Sequence, residues 1–406
     1  MQMRTMPTLA NLRSHAWNWL RFRCVEPLRY RADVAQTSVA ARHVPRHRVL
    51  LISDQAVYTS EQQFAPLLGV RSVLRSQLGV VLQHQRLADA MTRPAHFWRG
   101  YDVVALKLGF RTSAGEADQT VRKIRRSLAP SAKVVYFDGD DDLGVQWPDL
   151  LPLVDLYIKK QCFRDRSEYA KSRIGKSNLT DYVARNFGIS FADDIIPASA
   201  AVRLDQIGKI VLGWNIALDD KIRRLHASRP APPPTTSKDI DVVCRANVPR
   251  DWIYPLRAAV IPEIELLAPE HRVLTPQGRV PQDIYYHEMS RSRICVSPFG
   301  YGEICWRDFE AILCGCVLVK PDMSHIETEP NVFVSDVTYV PVRWDFADLG
   351  AKLKDLLAQP ERCERLRVNA FEVLHRCFER DTIIRSFHRI LSDVGLTSTP
   401  ALPADS

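Results

Sequence analysis

"SPFGYGEICWRDFEAILCGCVLVKP" occupies residues 297–321 and joins a glycine turn, a helix-compatible run and a short apolar strand. A second apolar run, "RICV", leads into it. A helix from near Gly302 to Leu313 would turn ~100° per residue and bring Glu303, Arg307, Glu310 and Cys314 onto one stripe, within an arc of roughly 60°. Cys305, Phe309 and Ile312 would form a separate apolar face against a sheet. Three charged side chains just after a strand and a glycine turn stand where open α/β domains bind ligands, at the carboxyl edge of the sheet. The helix N-terminus there offers free N–H groups and partial positive charge, which suit a phosphate. Gly300 and Gly302 would allow close backbone approach. Carboxylates beside that point suit sugar or ribose hydroxyls, which donate hydrogen bonds. The competing expectation is an ordinary exposed helix with an Arg307–Glu310 surface pair, worth only a few tenths of a kcal/mol.

Outward from this stretch the chain alternates between apolar strands and helices. "RVLLISD" (48–54), "DVVALKLG" (102–109), "KVVYFDGD" (133–140) and "VDLYIKK" (154–160) each end an apolar run in polar groups, with helix-compatible stretches at 61–77 and 115–128. That alternation indicates a parallel, doubly wound sheet. "SRPAPPPTTSKD" (228–239) interrupts it, since four prolines with small polar residues continue neither a helix nor a central strand. The rhythm then restarts at 239–245, 272–276, 293–298, 316–321 and 331–336. The expected architecture is α/β: two Rossmann-like, doubly wound domains facing a central cleft. Its expected parts are a basic arm (1–47), an N-terminal domain (48–227), a proline-rich linker (228–238) and a C-terminal domain (239–380). A helix crossing back (381–395) and a tail (396–406) complete it.

Composition narrows the classes. With 406 residues, 46% hydrophobic and 25% charged, the chain suits two soluble domains with real cores. No apolar run is long enough to span a membrane, and the first residues lack the continuous apolar segment of a secretory signal. Nine cysteines, scattered and mostly in apolar runs, read as buried reduced thiols in a cytoplasmic protein. Cys314 and Cys316 are too close for a CxxC pair, and no zinc set completes them. Of the net charge of +8, residues 1–48 supply +7, through nine arginines against Glu26 and Asp33. The body is therefore close to neutral, which argues against nucleic acid as a partner. The leader mixes Trp17, Trp19, Leu20 and Phe22 with arginines, a composition that suits a helix in a membrane interface, a transit peptide, or an arm packed on the body.

A second constellation, "VVYFDGDDD" (134–142), sets Asp138 and Asp140 at a strand end. Three readings stand side by side: a general base or acceptor contact, a structural turn, and a metal site of hard oxygen ligands. Lys159 and Lys160 close "VDLYIKK" and Lys107 closes "VVALK". These cations could neutralise an anionic acceptor or a leaving diphosphate, or simply be solvated. Arg245, ending the first strand of the second half, is equally a candidate phosphate ligand and a solvated cation.

The stretch 297–321 resembles the donor-site signature of GT-B glycosyltransferases, in particular the exostosin-like and CgeB-like branches. Those carry a small-Pro-x-Gly-x-Gly turn followed by Arg-x-x-Glu-Ala and Gly-Cys. The match covers about 30 residues, and the order of elements over 239–395 is consistent with the same domain. The resemblance implies a nucleotide-sugar donor held by Arg245, Ser297, Gly300, Tyr301, Gly302, Glu303, Arg307 and Glu310. Glu310 would bind ribose or sugar hydroxyls, Glu303 the sugar, and Arg307 would orient the carboxylates or meet the diphosphate. Asp138, Asp140 and Glu303 are the catalytic candidates, with Lys107, Lys159 and Lys160 on the acceptor side. It implies no required cofactor or metal, and a glycan or lipid-linked acceptor in polysaccharide or lipopolysaccharide assembly. The enzyme would be cytoplasmic, with the arm meeting the inner membrane face. Many retaining relatives place seven residues between the two glutamates. Here there are six, which leaves the stereochemical outcome open. Three other readings use the same residues: a nucleotide-sugar epimerase of the same fold, a metal-dependent GT-A-type transferase using Asp138 and Asp140, and a catalytically inactive nucleotide-sugar-binding protein. A dinucleotide-dependent oxidoreductase lacks its G-x-G-x-x-G after the first strand of either half.

Overall fold

The computed structural model describes residues 20–41, 47–54, 62–191, 201–215, 220–229, 231–234, 238–246, 251–276 and 278–396. The tail from 397, parts of the proline-rich segment, and Trp17 and Trp19 of the arm lie outside the described residues. The chain forms two compact units, one of residues 1–137, 149–158 and 383–406, the other of 138–148 and 159–382.

The first unit is built on β1 (His47–Ser53), β2 (Val80–Arg86), β3 (Val103–Lys107), β4 (Lys133–Asp138) and β5 (Leu156–Lys159), in the order β2-β1-β3-β4-β5. β4 and β5 each carry their final residue into the second unit. β1 pairs in parallel with both β2 and β3, and β3 in parallel with β4. Runs such as Val49–Ile52 and Val103–Leu106 are wholly buried, as a strand covered on both faces requires. The helix Ala114–Ser127 starts on a capping box in which the Ser113 hydroxyl accepts from Glu116 N–H and Glu116 accepts from Ser113 N–H. Residues of the arm pack here. Phe22 is buried edge-on to His84, and Glu26 and Asp33 pair with Arg71 at 3.0 Å each.

The second unit contains β6 (Gln161–Phe163), β7 (Ile210–Leu212), β8 (Ile240–Val243), β9 (Val273–Leu274), β10 (Ser292–Val296), β11 (Val317–Pro321), β12 (Ile326–Thr328) and β13 (Val340–Val342). Five of these form a parallel sheet in the order β13-β11-β10-β8-β9. β6 and β12 make a separate antiparallel pair. The proteins's α/β class with parallel sheets is thus as the alternation indicated. One local expectation is corrected, and one strand was not foreseen. Residues 331–336 are not a strand: Thr338 Oγ1 accepts from Val334 N–H and donates to Val332 O, and the strand comes later, at β13. β2 went unpredicted because Gln83, His84 and Gln85, all buried, break its apolar run. Among the described residues no helix is long and apolar enough to cross a membrane. Residues 231–234 lie in the second unit, where Pro233 O accepts from Arg367 at 2.9 Å.

Candidate functional site

Strand order places the site. In the second sheet the chain runs from β8 outward to β9, then returns to lay β10 on the other side of β8. The carboxyl ends of β8 and β10 therefore flank a topological switch point, where ligands of open α/β sheets bind. Arg245 follows β8, and Ser297 to Glu303 follow β10.

The helix after this turn is Trp306–Leu313, shorter than the sequence periodicity implied. Cys305 is its N-cap, and Asp308 closes a capping box by accepting from Cys305 N–H at 2.8 Å. Glu303 therefore lies in the turn and not on the helix. The two-faced helix is corrected as well: Arg307, Asp308, Phe309, Glu310, Ala311, Ile312 and Leu313 are all buried, so no exposed Arg307–Glu310 pair exists. Burial on every side is possible because the polar groups find partners. Asp308, fully buried, pairs with the equally buried Lys320 at 3.1 Å and accepts from the Ser297 hydroxyl. The helix ends at Gly315, whose φ of +73° favours glycine and redirects the chain into β11.

Arg307 donates to Ser297 Oγ at 3.0 Å, Arg245 O at 3.0 Å and Pro298 O at 2.7 Å. It clamps the backbone after β8 to the backbone after β10. The Arg245 side chain itself is held bidentately by Glu288, at 2.8 Å on the longer contact. Glu310 accepts from the Tyr285 hydroxyl at 3.1 Å and the Tyr286 hydroxyl at 3.0 Å. Burial, then the charge of Glu310, pushes both phenols up, so they stay protonated as donors. Tyr301 is half exposed, its hydroxyl on Asp251 at 2.5 Å and its ring facing Arg257. Gly300 leaves room for the Arg257 guanidinium, which donates to Phe299 O at 2.9 Å.

Glu303 is different. Its side chain is 0% exposed, yet neither carboxylate oxygen has a hydrogen-bond partner among the described residues. His325 Nε2 lies 3.7 Å from its Oε1 and is likewise without a hydrogen bond among the described residues.

The acidic stretch after β4 meets this turn within the same unit. The missing Cβ of Gly302 makes room for the Asp141 carbonyl, which also accepts from Gln161 Nε2 at 2.7 Å. Asp138 is fully buried. One of its oxygens takes Lys159 Nζ at 2.9 Å and the other accepts from Asp140 N–H at 3.0 Å. Lys159, also buried, donates further to Gly144 O at 2.6 Å. Burial works against its charge, but Asp138 and Asp142 outweigh that and hold its pKa above the usual lysine value. Burial pushes the Asp142 carboxyl up to about 6, against the pull of Lys176 and Lys159. Lys160 pairs with Asp141 at 2.7 Å, and Lys107 is buried in the first unit. The structure thus gathers Asp138, Asp140, Lys159 and Lys160 around the loop whose Asp141 carbonyl packs on Gly302, with Asp138 and Lys159 neutralising one another.

Sequence reasoning missed Asp308, Lys320, Tyr285, Tyr286 and His325. The Asp308 capping box had a legible trace, a carboxylate three residues beyond the residue that caps the helix. The others come together only through strand order.

No family model and no curated protein matches the chain. Solved structures with related backbones include Anabaena HepE in complex with UDP and glucose, at 12% identity over 85% of this chain and 99% of that one, with a TM-score of 0.44. A structure from E. coli named for trehalose-6-phosphate and bound with UDP-2-fluoro glucose is 8% identical over 87% and 100%, with a TM-score of 0.48. Sucrose-phosphate synthase from Thermosynechococcus elongatus is 12% identical over 86% and 99%, with a TM-score of 0.44. At that distance the chemistry has to be read from this chain's own residues.

Proposed function

We propose that the chain is a glycosyltransferase of GT-B type, moving a sugar from a nucleotide-diphosphate sugar to a hydroxyl of a glycan or lipid-linked acceptor. The observation that carries this is Glu303. A buried carboxylate without donors is costly, because its lost hydration is not replaced. Such a group is tolerated where a ligand supplies the donors, and sugar hydroxyls are donors that a carboxylate accepts well. Glu303 stands in the turn after the central strand β10, beside the switch point of the sheet.

Glu310 supports the same reading. Two phenols on neighbouring residues fix its carboxylate while leaving acceptor capacity for ribose hydroxyls. Arg307 is a scaffold clamp in this reading, since each of its three guanidinium nitrogens donates to Ser297 or to a backbone carbonyl. Asp138 acts through the fold, as the counter-charge of Lys159. Polysaccharide or lipopolysaccharide assembly is the setting that a lipid-linked acceptor would suit.

A thermal-shift screen across nucleotide sugars tests the proposal. A ligand present at a hundredfold its Kd stabilises by about 2.7 kcal/mol, a readily measured shift. The expected result is selective stabilisation by one nucleotide sugar, weakened in Glu303→Gln and Glu310→Gln. Stabilisation by none of them would end the proposal. Incubating the bound donor alone separates transfer from epimerisation, because an epimerase converts the sugar unaided.

A further inference from the structure

His325 belongs to no motif of the sequence, yet the fold holds it closely. It precedes β12, and the β6–β12 pair fixes its backbone: Arg164 N–H donates to His325 O at 2.8 Å and Arg164 Nε donates to Ser324 O at 2.9 Å. The ring packs edge-on to Trp344 at 5.3 Å between centroids. Its Nε2 is buried against Glu303, although the side chain as a whole keeps 23% exposure. The exposed part of the ring therefore lies away from Glu303. His325 also lines a cavity of ≈ 370 Å³ with Phe163, Arg164, Asp165, Glu168, Asn178 and Ser324. Asn178 Oδ1, a buried atom of that lining residue, has no hydrogen-bond partner either among the described residues.

A carboxylate facing one imidazole nitrogen favours the tautomer with its proton on that nitrogen. It leaves the other nitrogen as an acceptor and stabilises the cation formed on protonation. The other charged groups near the ring are already engaged. Arg164 donates to the Ser324 and Ile326 carbonyls, Asp165 accepts from Ser167 N–H, and Glu168 pairs with Lys171 and with Arg173 at 2.7 Å. Glu303 is thus the carboxylate positioned to act on His325.

We propose that the cavity takes the acceptor hydroxyl and that His325 is its proton acceptor, with Glu303 positioning the ring. This rests on the sugar-transfer reading. The hydroxyl oxygen forms its bond to the anomeric carbon of the donor sugar. The bond from that carbon to the diphosphate oxygen breaks, its electron pair leaving on the diphosphate. The hydroxyl proton passes to His325 Nδ1, and Glu303 stays ionised beside the imidazolium. One Glu303 oxygen faces His325 and the second remains for a sugar hydroxyl.

Two measurements on the full chain test this. The first follows the His325 ring nitrogens by NMR at a single pH, their signals assigned with His325→Gln. Glu303→Leu is expected to shift the ring away from the tautomer protonated on Nε2, since the carboxylate facing that nitrogen is gone. An unchanged tautomer signature overturns the pairing. The second measures transfer with the donor found by thermal shift. His325→Gln is expected to lower kcat by about 10²–10⁴-fold, the usual contribution of a general base, to remove the acid limb of the pH–rate profile, and to leave donor binding intact. A wild type that transfers sugar alongside an equally active His325→Gln overturns the proton-transfer role alone. A wild type that binds no nucleotide sugar ends the sugar-transfer reading and that role with it.

Discussion

Replacing Asp308 with alanine tests how the helix Trp306–Leu313 can be buried on all sides. The Asp308 carboxylate accepts from the Ser297 hydroxyl, from Cys305 N–H at 2.8 Å, and from Lys320 Nζ at 3.1 and 3.3 Å. Without it the Lys320 ammonium, fully buried, keeps among the described residues only Ser297 O at 3.4 Å and the face of the Phe299 ring. Removing one member of a buried pair costs about 3–5 kcal/mol, because the other charge stays desolvated. Loss of the cap interaction adds about 1 kcal/mol. Asp308→Ala should therefore destabilise the second unit by about 4–6 kcal/mol, a large part of the ~5–15 kcal/mol that holds a typical protein. Asp308→Asn keeps an acceptor for Cys305 N–H and should cost less. The double change Asp308→Leu with Lys320→Met should recover most of the loss, since an apolar pair of similar volume carries no desolvated charge. A chain of two units need not unfold in one step, so the readout is native-state hydrogen exchange at the β10 and β11 amides. A loss below about 1 kcal/mol in Asp308→Ala, or a double variant no better than the single one, would refute the reasoning.

Three further outcomes follow from the geometry. Gly302→Ala sets a methyl group against the Asp141 carbonyl and should cost about 1–3 kcal/mol in urea unfolding, the usual range for overpacking, and weaken donor binding; wild-type stability in this variant would show that the two loops are not packed together. Burial, reinforced by Arg21 and Arg71, pushes the His84 imidazole down to about 3, so the fold keeps it neutral while the unfolded chain takes a proton below about pH 6.5. Stability should therefore fall as pH drops from about 6.5 toward 3, by up to about 1.4 kcal/mol per pH unit, and His84→Gln should lack this contribution when denaturant midpoints are compared across pH. Tyr285→Phe combined with Tyr286→Phe removes both phenol donors from buried Glu310 and should cost about 3 kcal/mol or more, read as a lowered melting temperature together with weaker stabilisation by the donor.

The sequence carried the strand runs because each is a short apolar block that burial on both faces demands, as at Val49–Ile52 and Val317–Val319. It carried the turn at 297–302 because glycines and a proline after a strand have few other uses. It misjudged the helix because amphipathic periodicity presumes that charged side chains seek water. Here Asp308 and Lys320, twelve residues apart, satisfy each other inside the protein, and Arg307 spends its donors on carbonyls from two strand ends. Neither partnership leaves a trace in spacing. The run at 331–336 failed for the opposite reason: Val332 and Phe333 are buried as a strand's residues would be, but the Thr338 hydroxyl supplies backbone partners and no neighbouring strand is needed.

The acidic stretch after β4 shows the limit most clearly. Asp138 and Asp140 looked like chemistry because acidic residues at a strand end are often free to act. Twenty-one residues on, Lys159 neutralises Asp138, and the carbonyl of Asp141 fills the space Gly302 leaves open. The loop that drew attention as a catalytic candidate therefore helps shape the turn that carries Glu303. Glu303, the one acidic side chain of that turn, has no hydrogen-bond donor on either carboxylate oxygen among the described residues. In the proposed reading a bound sugar offsets the desolvation of that carboxyl, so the chemistry is assigned to the unpartnered group and not to the richest acidic cluster.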